Sequence, residues 1–252
     1  MAKLIIGNWK MNPSDLLSAK KIFARVKSTV AKAKRTKVIM CVPYVYLYSL
    51  LGSGNGHIAL GAQDAFWEEK GAFTGKISTR IIRAAGARYV ILGHSEVRSL
   101  GDTDEVVNKK VRRALSERLM VVLCVGERVR DEEGKYLSFI GRQLDDALVK
   151  IPKPYFKNLI IAYEPVWAIG ARAGGASTPE DFFEKSIFIR KVLSHIAGKD
   201  IAMKVSVLYG GSVDEKNAEG FLDVGRADGL LVGRASLDPD SFKKIILVAN
   251  KF

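Results

Sequence analysis

Along this 252-residue chain one pattern recurs from end to end. A short apolar run leads into a loop rich in glycine or polar residues, and an amphipathic stretch follows. The candidate strands are Leu4–Ile6, Lys37–Val42, Ile58–Ala62, Tyr89–Leu92, Met120–Val125, Leu159–Tyr163, Lys204–Leu208 and Gly229–Val232. Leu159 to Tyr163 is apolar without alternation, as expected of a strand covered on both faces in a parallel sheet. The helical patterns between the strands include Ser14–Ala33, Thr103–Arg118, Leu137–Leu148, Pro179–Ile196 and Pro239–Val248. Several carry start signals: Ser14-Asp15 after Pro13, Thr178-Pro179-Glu180 and Asp238-Pro239. Eight strand-then-helix units with no linker predict an α/β chain folded as one (β/α)8 barrel over residues 1–252. A doubly wound sheet is the alternative, but no GxGxxG follows the first strand.

Composition sets the outer bounds. The chain is 48% hydrophobic and 27% charged, ordinary for a globular protein. Its apolar runs fall short of the roughly 18 residues a membrane span needs, and the N-terminus has no h-region of signal-peptide length. The expectation is a cytosolic protein with no membrane partner. Cys41 and Cys124 each sit in an apolar run outside any CxxC pair, so reduced buried thiols are expected. His57, His94 and His195 lack metal-ligand spacing, and no metal is expected. The net charge of +13 admits nucleic acid, anionic membranes or small anions. The lysines and arginines are scattered through helical patterns, as solvated faces usually are, and no nucleic-acid motif accompanies them.

In a (β/α)8 barrel the residues after each strand converge on one mouth. Here that gathers Asn8 and Lys10, Gln63 and Asp64, His94-Ser95-Glu96, Gly126-Glu127, Glu164, Tyr209-Gly-Gly-Ser212, and Gly233-Arg234. Glu164 ends an apolar strand and precedes Pro165-Val166-Trp167, surroundings that disfavour a charged carboxylate and suit a general base. Lys10, His94 and Glu164 together make a fixed cation, an imidazole and a base. That set can abstract a proton beside a carbonyl and stabilise the resulting enediolate without metal or cofactor. Gly210, Gly211, Ser212 and Gly233 offer backbone N–H groups to an anion after the last two strands. Taken singly, each residue has a plainer reading: a surface lysine, a structural histidine, a turn, or a salt-bridge partner for Glu96 and Glu127.

Asn8-Trp-Lys10, Gly61-Ala-Gln63, Gly71-Ala-Phe-Thr-Gly75, Gly93-His-Ser-Glu96, Cys124-Val-Gly-Glu127, Ala162-Tyr-Glu-Pro-Val-Trp-Ala-Ile-Gly170, Tyr209-Gly-Gly-Ser-Val213 and Leu231-Val-Gly233 run in order along the chain. In this the sequence resembles triosephosphate isomerase. The resemblance implies that Glu164 is the base moving a proton between the carbons of dihydroxyacetone phosphate and D-glyceraldehyde 3-phosphate. It implies that His94 acts as a neutral electrophile, that Lys10 and Asn8 contact substrate, and that Glu96, with Ser95 and Cys124, supports the site. Gly170, Ser212, Gly233 and Arg234 would offer N–H groups to the phosphate. No cofactor is implied, no nucleic acid is expected, and Gly71–Gly75 resembles a loop through which the family dimerises.

Three stretches depart from the pattern. Gly170-Ala-Arg-Ala-Gly-Gly-Ala-Ser-Thr-Pro179 stands where the family has a shorter lid beginning Gly-Thr-Gly-Lys, and its added glycines predict costlier closure. Arg234 replaces a glycine, which is harmless unless that backbone needs φ > 0. Val97 and Lys76 replace residues of the dimer segments. Two other classes remain open at this point: a basic scaffold binding polyanions on the same barrel, and a Schiff-base aldolase. Against the aldolase, Lys204 stands at the start of its predicted strand, the wrong end for a site lysine.

Overall fold

The computed structural model describes residues 2–51, 58–131, 133–168 and 177–252. Its strands are β1 (Lys3–Asn8), β2 (Thr36–Cys41), β3 (Ile58–Ala62), β4 (Tyr89–Leu92), β5 (Met120–Val125), β6 (Leu159–Tyr163), β7 (Ser206–Tyr209) and β8 (Gly229–Val232). They close in sequence order into a parallel barrel, β8 pairing back onto β1 with Leu4 opposite Gly229 and Gly7 opposite Val232. The predicted (β/α)8 architecture, a TIM barrel, is the one observed. Five strands have the predicted bounds; β1 is longer at both ends, and β2 and β7 are shifted. Asn8 therefore closes β1 instead of following it, and Lys204 lies ahead of β7, outside the strand.

Each strand is covered on both faces because its two sets of side chains enter different cores. Ile6, Ile39, Ile91, Val122, Ile160 and Leu208 fill the barrel interior. Ile5, Val38, Val90, Val121, Ile161 and Val207 face the helices. A fully buried aliphatic side chain contributes about 1.5–3 kcal/mol, so a one-residue slip would exchange two cores of different shape. Cys41 and Cys124 lie in the inner core as free thiols.

The helices begin where the signals placed them. Asp15 accepts from the Ser18 N–H, Thr178 from Asp181 and Asp238 from Asp240, each capping a helix start. The sequence reading missed shorter helices, Tyr44–Leu50, Thr79–Ala84, Ser95–Ser99 and Ala218–Leu222 among them. A segment of five to seven residues is too short to show a 3.6-residue period and is held by packing. No helix among the described residues is long and apolar enough to cross a membrane.

Candidate active site

The C-terminal ends of the strands surround a cavity of about 590 Å³ whose lining includes Asn8, Lys10, His94, Glu164, Ser212 and Gly233. Of the residues predicted to share the mouth, these six, Tyr209 to Gly211 and Arg234 line it, whereas Gln63, Asp64, Ser95, Glu96, Gly126 and Glu127 do not. Arg234 stands at its rim, whereas Gly170 and Ala171–Gly175 lie outside the described residues.

Lys10 sits in the left-handed region at φ 53°, a conformation costing a non-glycine residue roughly 1–2 kcal/mol. Neighbouring groups hold it there. Its N–H donates to Asn8 Oδ1 at 3.0 Å, and Gln63 Nε2 donates to its carbonyl at 2.8 Å and to Asn8 Oδ1 at 3.3 Å. The ammonium Nζ lies 2.6 Å from Glu96 Oε1. Gln63 is thus a site residue without a role assigned from sequence; its place after β3 and its motif Gly61-Ala-Gln63 were the signals.

His94 caps the helix Ser95–Ser99, and the Glu96 N–H donates to its Nδ1 at 3.2 Å. A nitrogen that accepts a hydrogen bond carries no proton, so a neutral ring keeps its hydrogen on Nε2. That nitrogen faces Glu164 Oε1 at 3.2 Å. The carboxylate is almost fully buried, 2% exposed, and its Oε2 accepts the Ser95 N–H at 3.0 Å. Burial first, then the adjacent Glu164 carboxylate, pushes the Cys124 thiol well above the usual thiol range, so it stays protonated beside the site. Gly126 supplies space: a Cβ there would come within 1.8 Å of the Glu164 carbonyl oxygen. Any side chain at that point would displace the base.

Glu127, read singly as a salt-bridge partner, is a fully buried post. Its Oε1 accepts from Tyr163 Oη at 2.9 Å and from Trp167 Nε1 at 2.8 Å, while Arg130 Nη2 lies 3.4 Å away. The guanidinium of Arg130 also stacks 4.5 Å from the Trp167 ring and pairs with Asp181 at 2.7 Å. On the facing side Ser212 Oγ donates to the Ala168 carbonyl at 2.9 Å. Arg234 opens a 3-10 turn, is not among the residues at positive φ, and is exposed. The glycine-to-arginine change therefore carries no backbone strain, and its N–H stands free of that objection.

With this geometry in hand, comparison with known proteins is decisive. A triosephosphate isomerase family model matches residues 3–249. The chain belongs to the triosephosphate isomerase family. Curated triosephosphate isomerases similar to it include that of Moorella thermoacetica, 40% identical over 96% of this chain and 97% of the relative. Those of Caldanaerobacter subterraneus subsp. tengcongensis and Thermoanaerobacter pseudethanolicus are 41% and 42% identical, each over 96% of this chain and 98% of the relative. Triosephosphate isomerases interconvert dihydroxyacetone phosphate and D-glyceraldehyde 3-phosphate in glycolysis. The membership excludes the aldolase alternative, and the position of Lys204 ahead of its strand agrees with that.

Proposed function

We propose that this chain carries out that isomerisation with Glu164 as base, His94 as electrophile and Lys10 as the fixed cation. The observation that supports it is the convergence of the three on one cavity. Glu164 removes a proton from the hydroxymethyl carbon of dihydroxyacetone phosphate, and the C–H electron pair forms the double bond of an enediolate. The negative charge developing on the former carbonyl oxygen is met by His94 Nε2–H and the Lys10 ammonium. Return of that proton from Glu164 to the adjacent carbon, with His94 giving its Nε2 proton to the oxygen on that carbon and taking the hydroxyl proton from the other oxygen, gives the aldehyde and restores the neutral imidazole. Asn8 and Gln63 hold Lys10 in place; Ser95 and Cys124 border the carboxylate, and Glu96 borders the lysine. Backbone N–H groups of Ser212, Gly233 and Arg234, with Gly170 by resemblance, hold the phosphate.

The test is interconversion of the two triose phosphates by the parent and by Glu164→Asp. Withdrawing the carboxylate by one methylene should lower kcat on the order of 10²–10⁴-fold, the worth of a positioned base. Undiminished turnover in the variant would remove Glu164 from the role.

The chain further reads as one domain, a homodimer and a cytosolic protein. For the dimer, Met11, Val45, Tyr48, Phe73 and Leu100 are exposed apolar residues from consecutive sectors of the barrel, beside the exposed Gly71–Gly75 loop. For the cytosol, both cysteines are free and buried.

A further inference from the structure

Read segment by segment, the lysines and arginines look like scattered helix charges; the fold sorts them. The segments that lead into the strands all lie at the N-terminal end of the barrel, opposite the cavity. Exposed there are Lys34 before β2, Arg88 before β4, Arg118 before β5, Lys157 before β6, Lys204 before β7 and Arg226 before β8. Among the described residues none of the six forms an ion pair. The carboxylates in those segments are Glu117, Asp200, Asp223 and Asp228, and Asp228 is taken by Arg190 at 2.6 Å. The mouth is the reverse: Glu68, Glu69, Glu96, Glu127, Asp131 and Asp214 belong to segments that follow strands. The positive excess therefore faces away from the entrance of an anionic substrate, and steering of that substrate does not account for it.

A second observation says what it fits. Leu51, Val149, Met203 and Val224 stand in the same strand-leading segments, and each is about half exposed, from 46% to 57%. Bare aliphatic side chains among unpaired cations match an anionic bilayer, where headgroups attract the charges and the interfacial layer takes the apolar tips. A protein partner would favour exposed aromatic anchors. The exposed aromatic rings Tyr48 and Phe73 lie outside these segments. We propose that the N-terminal face of the barrel docks onto anionic phospholipid membranes, leaving the catalytic mouth pointing to solvent. The expectation of no membrane partner rested on short apolar runs and on charges read one segment at a time, and neither bears on docking by a whole face.

The test is co-sedimentation with vesicles of phosphatidylcholine alone or mixed with phosphatidylglycerol. The protein should pellet with the mixed vesicles only, and less as salt is raised. The variant K34E/R88E/K157E/K204E should lose at least about tenfold in vesicle affinity. A control with the same charge change on outward helix faces, K20E/K21E/R112E/K243E, should keep most of it, and both variants should keep isomerase activity. Equal loss in both variants, equal pelleting with neutral vesicles, or tighter binding to a polynucleotide than to the mixed vesicles would overturn the proposal. If the first variant does not fold, Met203→Cys labelled with an environment-sensitive dye reports instead, since Cys41 and Cys124 are buried. Its emission should shift blue on anionic vesicles while the same dye at Ile187→Cys, on an outward helix face, does not. A shift at 187 with none at 203 would equally overturn the idea.

Discussion

Lys10 shows how much of this site is held by groups that touch no substrate. Its left-handed backbone is pinned by Asn8 at the end of β1 and by Gln63 just after β3, which also donates to the Cys41 carbonyl at 3.2 Å. Gln63→Ala removes these donors from partly buried acceptors, a loss of about 1–3 kcal/mol. Melting temperature should fall by several degrees, at roughly 2–4 °C per kcal/mol for a chain of this size. Because the ammonium is then mispositioned, kcat/KM should fall about tenfold or more. Steady-state assays with a melting curve check both, and full activity in a destabilised Gln63→Ala would show that Lys10 needs no such support. In sequence Gln63 is one letter of a motif; only the tertiary structure shows what it holds.

Between elements, the strongest tie near the site is ionic. Arg130, after β5, bridges Glu127 and Asp181, and Asp181 also pairs with Lys185 at 3.2 Å and accepts from Ser177 Oγ at 3.1 Å. The β5 and β6 ends are thereby fastened to the start of the helix Pro179–Ala197. Burial pushes the Asp181 carboxyl up, but the hydrogen bonds and charges of Arg130 and Lys185 outweigh it and hold the group below the ordinary carboxylate range. A depressed folded-state value means stability that is present above the unfolded value of about 3.9 and lost as pH falls through the folded one. Asp181→Asn should therefore be less stable than the parent at pH 7, with the gap closing below about pH 4. Urea unfolding of both proteins across that range measures it. Asp64 has the opposite sign: burial raises its carboxyl despite Lys110 at 2.8 Å, so it opposes folding when ionised. Glu127 reads as a salt-bridge partner from sequence, but its partner does not, since Arg130 and Asp181 are ordinary charged residues there.

At the scale of the whole molecule, the exposed apolar residues Met11, Tyr48 and Leu100 are respectively 94%, 77% and 88% accessible in the single chain. A homodimer would cover them, and the departures at Val97 and Lys76 predict a weaker one than the family pattern would give. Sedimentation should show a monomer–dimer equilibrium that shifts on dilution, with specific activity falling alongside; a monomer at every concentration would refute the dimer. The architecture itself was legible because strand and helix periods, caps and chain order are local properties, and local order in a (β/α)8 chain dictates which ends share a mouth. For the same reason the sequence alone puts Lys10, His94 and Glu164 at one mouth. Short helices were not legible, since five residues carry no period, nor were the bounds of β1, β2 and β7. The sequence by itself determined the fold class, the family and the identity of the chemical groups. Only the tertiary structure decided which nitrogen of His94 carries the hydrogen, that Gln63 and Glu127 are supports, that Arg234 is unstrained, and that the positive charge gathers opposite the site. Those are facts of distance and direction between residues remote in sequence, and a one-dimensional pattern carries neither.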